Sequence, residues 1–301
     1  MIPAVGKLSH FISAKVEAKN KRSESALRDM LEQLARESPR LSYNIDAESG
    51  ETILHSDSEE GLDAAIAELA TRGISVNRGP PVVAYRETLA RPTEVEFTHR
   101  KVVGGAAQFA RVNLRLEPNE TGKGNAFAAA VVGGSVPEQY IPAVEKAVRS
   151  IWECGVLIGF PMVDTKVTLF DGAFHEIDST ETAFETASRS AMKAGCTKAG
   201  VTLLEPIMEL EVTTPSDFAD GITSDIKRCL GVIRSSKSRD STLVAINALV
   251  PLAHLFDYAT RLRTSTSGAA SHRMAFSHYQ AVPRRGPGGP DDFPPAVGVR
   301  A

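Results

Sequence analysis

The sequence predicts an α+β protein in which two domains of one β-α-β-β-α-β order flank a middle segment of different layout. Three observations carry that expectation: the order of apolar patterns over residues 1–80, its return from Met208 onward, and the long strand-like stretches between them. With 301 residues, 42 % hydrophobic and 24 % charged, the chain is long enough for two or three domains and is globular rather than disordered. A formal net charge of −3 removes bulk basicity as an argument for nucleic-acid binding, so any RNA contact must be local.

Leu8 to Val16 reads as a strand, and Leu27, Met30, Leu31 and Leu34 then recur at helical spacing between Ser23 and Ser38. Leu41–Asp46 and Thr52–Leu54 are short strands joined by the polar Ala47-Glu48-Ser49-Gly50, which has hairpin character. Asp57, with Glu60 three residues on, is expected to cap a second helix striped by Leu62, Ile66 and Leu69 and closed by Gly73. Ile74–Val76 begins a last strand, which completes the split pattern of a ferredoxin-like domain.

In the middle segment, Val95, Phe97, Val112, Leu114 and Leu116 mark long strands, and Ile141, Val144, Val148 and Ile151 mark a helix. Val163, Val167 and Leu169 alternate with polar residues up to Asp171-Gly172, which reads as a hairpin turn. Asp178 is then expected to cap a helix that Gly195 ends. The second ferredoxin-like order runs through Met208, Leu210 and Val212 and a helix with Phe218, Ile222, Ile226 and Cys229. It continues with strands near Val232–Ile233 and Thr242–Val250, a helix from Leu252 to Leu262, and a strand from Ala270 to Phe276. The expected domains are therefore 1–80, 81–200 and 201–283, followed by a Pro- and Gly-rich tail at 284–301 that reads as disordered.

The sequence offers few chemical motifs. Gly6-Lys7 is followed by Leu8 and Gly122-Lys123 by Gly124, so neither forms a phosphate loop with its magnesium-binding hydroxyl, and no nucleotide site can be argued. The histidines are scattered, His175-Glu176 lacks the second His of a zinc-protease helix, and His272 and His278 read as half-exposed strand residues. Cys154, Cys196 and Cys229 are too widely separated for a disulfide framework or zinc spacing and read as buried structural thiols in a reducing compartment. The start of the chain lacks a signal-peptide layout, and no run approaches a membrane span.

Two local constellations stand out. Phe174, His175 and Asp178 are expected at an exposed hairpin end beside a helix N-terminus, where an imidazole can reach an RNA phosphate or base. The loop Gly104-Gly105-Ala106-Ala107-Gln108-Phe109 combines flexible backbone, an amide and an aromatic ring between two strands. In the last domain Lys227, Arg228, Arg234, Lys237, Arg239, Arg261 and Arg263 form a locally basic set able to meet phosphates.

With these residues in view, the chain resembles the C-terminal half of the translation elongation factor G family from about Leu8 to Val282. The resemblance is carried by Pro80-Pro81-Val82-Val83-Ala84-Tyr85-Arg86-Glu87-Thr88, by the segment from Gly134 to Lys146, and by Gly159-Phe160-Pro161-Met162-Val163-Asp164. Phe174-His175-Glu176-Ile177-Asp178-Ser179, Leu204-Glu205-Pro206-Ile207-Met208 and the segment from Phe256 to Arg263 add to it. It implies the family's domains III, IV and V: two ferredoxin-like domains around an elongated domain of ribosomal-protein-type fold. His175 matches the family's tip histidine, and Gly104, Gly105 and Gln108 match the adjacent tip loop, which in the family enters the decoding side of the ribosome and helps move tRNA and mRNA. The basic set falls where the family contacts large-subunit rRNA. Three segments differ: His55 to Leu62 replaces a Gly-Met-Gly-Glu-Leu-His-Leu run, Ala107 replaces a glycine, and Lys227-Arg228-Cys229-Leu230-Gly231 replaces an Arg-Arg-Arg-Gly segment.

The resemblance implies a cytoplasmic, monomeric ribosome-binding chain that contacts rRNA, tRNA and mRNA and has no membrane association. It carries no GTPase site and no cofactor of its own, with GTP and magnesium reached only through a GTPase domain on a separate polypeptide. The alternatives are a truncated, weakly active or competing relic of the family, or a relative of the ribosomal-protection type.

Overall fold

The computed structural model describes residues 10–20, 23–46, 50–238 and 242–283. The readings for the tail at 284–301, for residues 47–49, for Leu8 and Ser9 and for Arg239 lie outside these residues. In chain order the elements are β1 (Ile12–Ala18), α1 (Glu24–Glu37), β2 (Leu41–Ile45), β3 (Thr52–Ser56), α2 (Glu59–Thr71), β4 (Val76–Arg78), β5 (Val82–Val83) and β6 (Arg86–Leu89). They continue with β7 (Thr93–Val103), β8 (Ala106–Pro118), β9 (Ala126–Ala129), α3 (Ile141–Cys154), β10 (Thr165–Ala173) and α4 (Glu181–Ala199). The last are β11 (Val201–Pro215), α5 (Ser216–Arg228), β12 (Val232–Ser238), β13 (Leu243–Pro251), α6 (Tyr258–Ser265) and β14 (Ser271–Ala281).

The α+β class and both ferredoxin-like orders are present. Backbone contacts divide the chain into two units, one joining the described residues up to Ala84 with those from Glu205 on, the other Tyr85–Leu204. In the first unit the sheet orders are β2-β3-β1-β4 and β12-β13-β11-β14, the same order twice when each domain's strands are numbered from its own start. Leu27, Leu31 and Leu34 of α1 and Leu62, Ala65 and Leu69 of α2 are buried on one stripe each, as the helical period requires. Each fully buried leucine contributes roughly 1.5–3 kcal/mol relative to exposure. The two ferredoxin-like halves meet within this unit, where Phe11 stacks on Phe276 with centroids 4.2 Å apart and the Asp257 N–H donates to the Glu59 carboxylate at 2.8 Å.

The second unit is a four-stranded sheet, β7-β8-β10-β9, backed by α3 and α4. Its core gathers Val112, Leu114 and Leu116 from β8, Val167 and Leu169 from β10, Val144 and Val148 from α3, and Phe184, Ala187 and Ala191 from α4. The run of small residues on α4 lets the helix lie close to the sheet. A side chain at Gly195 would sit 2.8 Å from Leu116 and 3.2 Å from Val95.

Several punctuation marks read from sequence are corrected. Asp171-Gly172 is not a turn: both residues lie inside β10 and pair with Asn113 and Val112 past a bulge at position 170. Gly172 is there because a Cβ would collide with the Arg111 carbonyl oxygen and with Val136, a close approach that resembles turn chemistry in sequence. Gly195 lies within α4, and Gly200, at φ +75°, ends the helix instead. The caps shift to neighbouring hydroxyls: Ser58 Oγ accepts from Gly61 N and Thr180 Oγ1 from Ala183 N, in place of Asp57 and Asp178. The expected helix from Leu252 is a short turn, Leu252–His254, then Asp257 in the left-handed region at φ 57°, then α6. Cys196 and Cys229 are buried as expected, but Cys154 is exposed at the end of α3.

Candidate functional site

Phe174, His175 and Asp178 lie on the turn between β10 and α4, and this turn is tied to β8 at Phe109 through Asp178 and Ser179, the second of which sequence reasoning does not single out as an anchor. The Ser179 hydroxyl donates to the Phe109 carbonyl at 2.7 Å and accepts from the His175 N–H at 2.9 Å. The Ser179 N–H donates to the His175 carbonyl at 3.1 Å, and the Phe109 N–H donates to the Asp178 carbonyl at 2.9 Å. On the other side the Tyr140 hydroxyl donates to the Ser179 carbonyl at 3.0 Å while its ring stacks on the fully buried Phe184 at 4.6 Å. Ser179 is therefore buried and doubly bonded through its side chain, as a hydroxyl with one proton and two lone pairs allows. Nothing in the apolar period marks it; its place in the Phe174–Ser179 motif is the only signal.

The turn leaves its own side chains outside. His175 keeps 55 % of its side chain exposed, and Phe174 and Ile177 are exposed hydrophobic residues. His175 Nδ1 lies 3.4 Å from Ile177 N and 3.3 Å from Asp178 N, both donating to it, and 3.3 Å from Asp178 Oδ2. An imidazole, a phenyl ring and an isoleucine projecting from a rigid turn can stack on a base and give one directed hydrogen bond.

Gly104 and Gly105 form the β7–β8 turn at φ +59° and +84°, with nothing within 4 Å of a Cβ built on either. Gln108 does not belong to that loop: it lies in β8, its Oε1 3.1 Å from His99 Nε2 across the hairpin. Phe109 is also within the strand, and its backbone joins β8 to the His175 turn, with Gln108 next to it in the chain. Gly105 is four residues further along, about 13 Å at roughly 3.3 Å per residue. The exposed Arg100 and Lys101 pair with Phe109 and Gln108 in the β7–β8 register, and they give this part of the hairpin the cations that a phosphate contact needs. Sequence reasoning misses them because two adjacent cations in an alternating strand carry no pattern of their own.

The C-terminal basic set divides. Lys227, Arg234, Lys237 and Arg263 are exposed. Arg228 is paired with Asp225, and Arg261 donates to the His254 carbonyl and to Cys229 Sγ, each at 3.3 Å, with its guanidinium 5.7 Å from the Tyr258 ring centre. A groove of about 560 Å³ between α5 and α6 is floored by Phe218, Ile222 and Leu262 and rimmed by Asp217, Asp225, Arg228 and Arg261. Two of the cations are thus engaged within the fold. Among the described residues no cluster of three or more His, Cys, Asp or Glu is placed to hold a metal, and no helix is long and apolar enough to cross a membrane.

Within the second unit, an extended polar site lies away from these candidates. The buried Glu87 carboxylate accepts from five successive backbone N–H groups, those of Val156, Leu157, Ile158, Gly159 and Phe160, at 2.7 to 3.2 Å. Gly155 opens that loop at φ +68°, where a Cβ would collide with the Phe160 carbonyl oxygen. Burial pushes the Cys196 thiol up to about 12, with the Glu87 charge adding to it, so this thiol is inert.

Comparison with known proteins agrees with this architecture. Residues 9–80 match the model of elongation factor G domain III, residues 81–200 that of domain IV, and residues 202–286 that of the elongation factor G C-terminus. Elongation factor G of Paracoccus denitrificans (strain Pd 1222) is 44 % identical over 274 residues, which is 91 % of this chain and 39 % of that protein. The factor of Ruegeria pomeroyi is 43 % identical over the same shares. The chain thus spans 39 % of the length of these curated relatives. A crystal structure of a Thermus thermophilus protein matches with a TM-score of 0.72 and 33 % identity, over 90 % of this chain and 40 % of that one.

Proposed function

Since this chain belongs to the elongation factor G family, we propose that it is the ribosome-binding part of an elongation factor G-like protein and acts in the movement of tRNA and mRNA during protein synthesis. The observation that carries this reading is the Ser179-anchored turn: it presents His175 and Phe174 on a fixed backbone beside a hairpin that bears Arg100 and Lys101. A fixed turn with an aromatic ring, an imidazole and neighbouring cations suits single-stranded RNA, which is read by stacking and directed hydrogen bonds. Gly104 and Gly105 leave backbone accessible at the hairpin end, and Lys227, Arg234 and Arg263 supply further phosphate contacts.

On this reading these residues act by shape and RNA contact and perform no chemistry. GTP and magnesium belong to a GTPase domain outside them, because the sequence has no phosphate loop. The chain works as a monomer in the cytoplasm. The test is co-sedimentation of the chain with ribosomes over a salt series, with intact elongation factor G as competitor. Saturable, competed binding that weakens with salt is expected. Absence of binding by the folded chain, or binding that the intact factor does not displace, overturns the proposal.

A further inference from the structure

We propose that Ser179 is a positioning residue that presents His175 as a directed hydrogen-bond donor, with Nδ1 turned inward and Nε2–H outward, toward an acceptor on RNA. The RNA-facing part rests on the function proposed above; the orientation and tautomer of the ring do not.

A neutral imidazole carries one proton, and the partner of one ring nitrogen decides which nitrogen holds it. Backbone N–H groups of Ile177 and Asp178 both aim at Nδ1. A proton on Nδ1 would face two donors, so the neutral ring carries it on Nε2. The Asp178 carboxylate, 3.3 Å from Nδ1, is the one group in the turn that favours the opposite placement. It competes as a single acceptor against two donors.

That local arrangement exists only while the backbone of residues 175–178 keeps its curl. Ser179 closes the curl onto His175: its hydroxyl accepts from the His175 N–H, its own N–H donates to the His175 carbonyl, and the same hydroxyl donates to the Phe109 carbonyl of β8. The hydroxyl uses its donor and an acceptor at once, a pattern that alanine and valine cannot reproduce and threonine can. The Tyr140 hydroxyl holds only the Ser179 carbonyl, so its loss leaves the curl in place.

The test reads the tautomer directly. In the full chain labelled with 15N-histidine, the ring signals of His175, assigned from the spectrum of His175→Gln, are compared with those of Ser179→Ala, Ser179→Thr and Tyr140→Phe. The wild-type chain, Ser179→Thr and Tyr140→Phe are expected to hold the proton on Nε2, and Ser179→Ala is expected to give a mixture of both tautomers. A wild-type ring protonated on Nδ1, or a folded Ser179→Ala chain that keeps the wild-type tautomer, overturns the proposal. If Ser179→Ala does not fold, Ser179→Thr and Ser179→Val, which share a shape and differ in the hydroxyl, decide the same question. Ribosome retention then tests the RNA-facing part: His175→Ala and Ser179→Ala should weaken it to a similar degree, and the double variant no further. If the tautomer shifts but retention of both variants is unchanged, the RNA contact is overturned and the positioning role stands.

Discussion

Two loops of the middle unit are each organised by one polar side chain, and they put it to opposite ends. At 155–160 the side chain is a carboxylate brought in from another strand, and five N–H groups turn inward on it. At 174–178 it is the hydroxyl of the loop's own C-terminal neighbour, which fixes the backbone and leaves an imidazole and two apolar side chains outside. The first loop satisfies a buried charge and the second displays a ring. A count of hydrogen bonds would rank the first as the more important site, but the display in the second is what a ligand can reach.

The largest effect should come from emptying the first loop. Glu87→Ala leaves buried N–H groups without an acceptor, each an uncompensated donor, and should cost on the order of 4 kcal/mol. Urea unfolding followed at Trp152, within the same unit, would report it, and a loss below about 1 kcal/mol would show that water replaces the carboxylate and would remove the contrast between the loops.

A second buried carboxylate has the opposite surroundings. Glu205 is buried without such a cage, and burial alone pushes its carboxyl above the ordinary value. The folded state therefore keeps a proton that the unfolded chain has already lost, so stability falls as pH rises from the unfolded value through the folded one, and that loss is complete above it. Glu205→Gln should accordingly raise the unfolding midpoint at neutral pH and leave it unchanged near about pH 3. An equal effect at both values would mean that packing, and not charge, sets the cost. Glu87→Gln should lower the midpoint at neutral pH, because the cage then faces an amide.

The smallest effect on stability belongs to the displayed ring. His175→Ala should change stability by no more than about 0.5 kcal/mol, because the side chain lies mostly outside the fold, yet it should weaken ribosome retention. A thermal melt and co-sedimentation on the same sample check both halves; a large destabilisation would place His175 with Glu87 as a residue of the fold.

Both ferredoxin-like orders are legible because apolar stripes such as Leu27, Leu31 and Leu34 repeat at the period of their element. Glycine meaning is less legible. Gly172 and Gly195 serve close approach and Gly73 serves a positive φ, and local sequence does not distinguish the two uses. Caps fall one or two residues from their expected places because Asp57-Ser58 and Asp178-Ser179-Thr180 each offer several capping side chains. Of the candidate site, His175 and Phe174 are legible, through the family motif. The anchoring roles of Glu87 and Ser179 are not, although both residues lie within family motifs, since the distant partners that give them those roles, the loop N–H groups and the Phe109 carbonyl, lie about 70 positions away in sequence.

The pairing of β8 with β10 ends at Arg111 and Ala173, whereas its pairing with β7 continues to Ala106 and Val103. In mechanical terms the last rungs of the hairpin are a cantilever, and the hydrogen bonds that join Phe109 to Ser179 and Asp178 sit just beyond its root. A force applied at Gly104 becomes a bending moment there, resisted by one hydroxyl and one amide more than by the length of the ribbon. Changes at Ser179 should therefore alter the compliance of the hairpin end while leaving its resting shape intact.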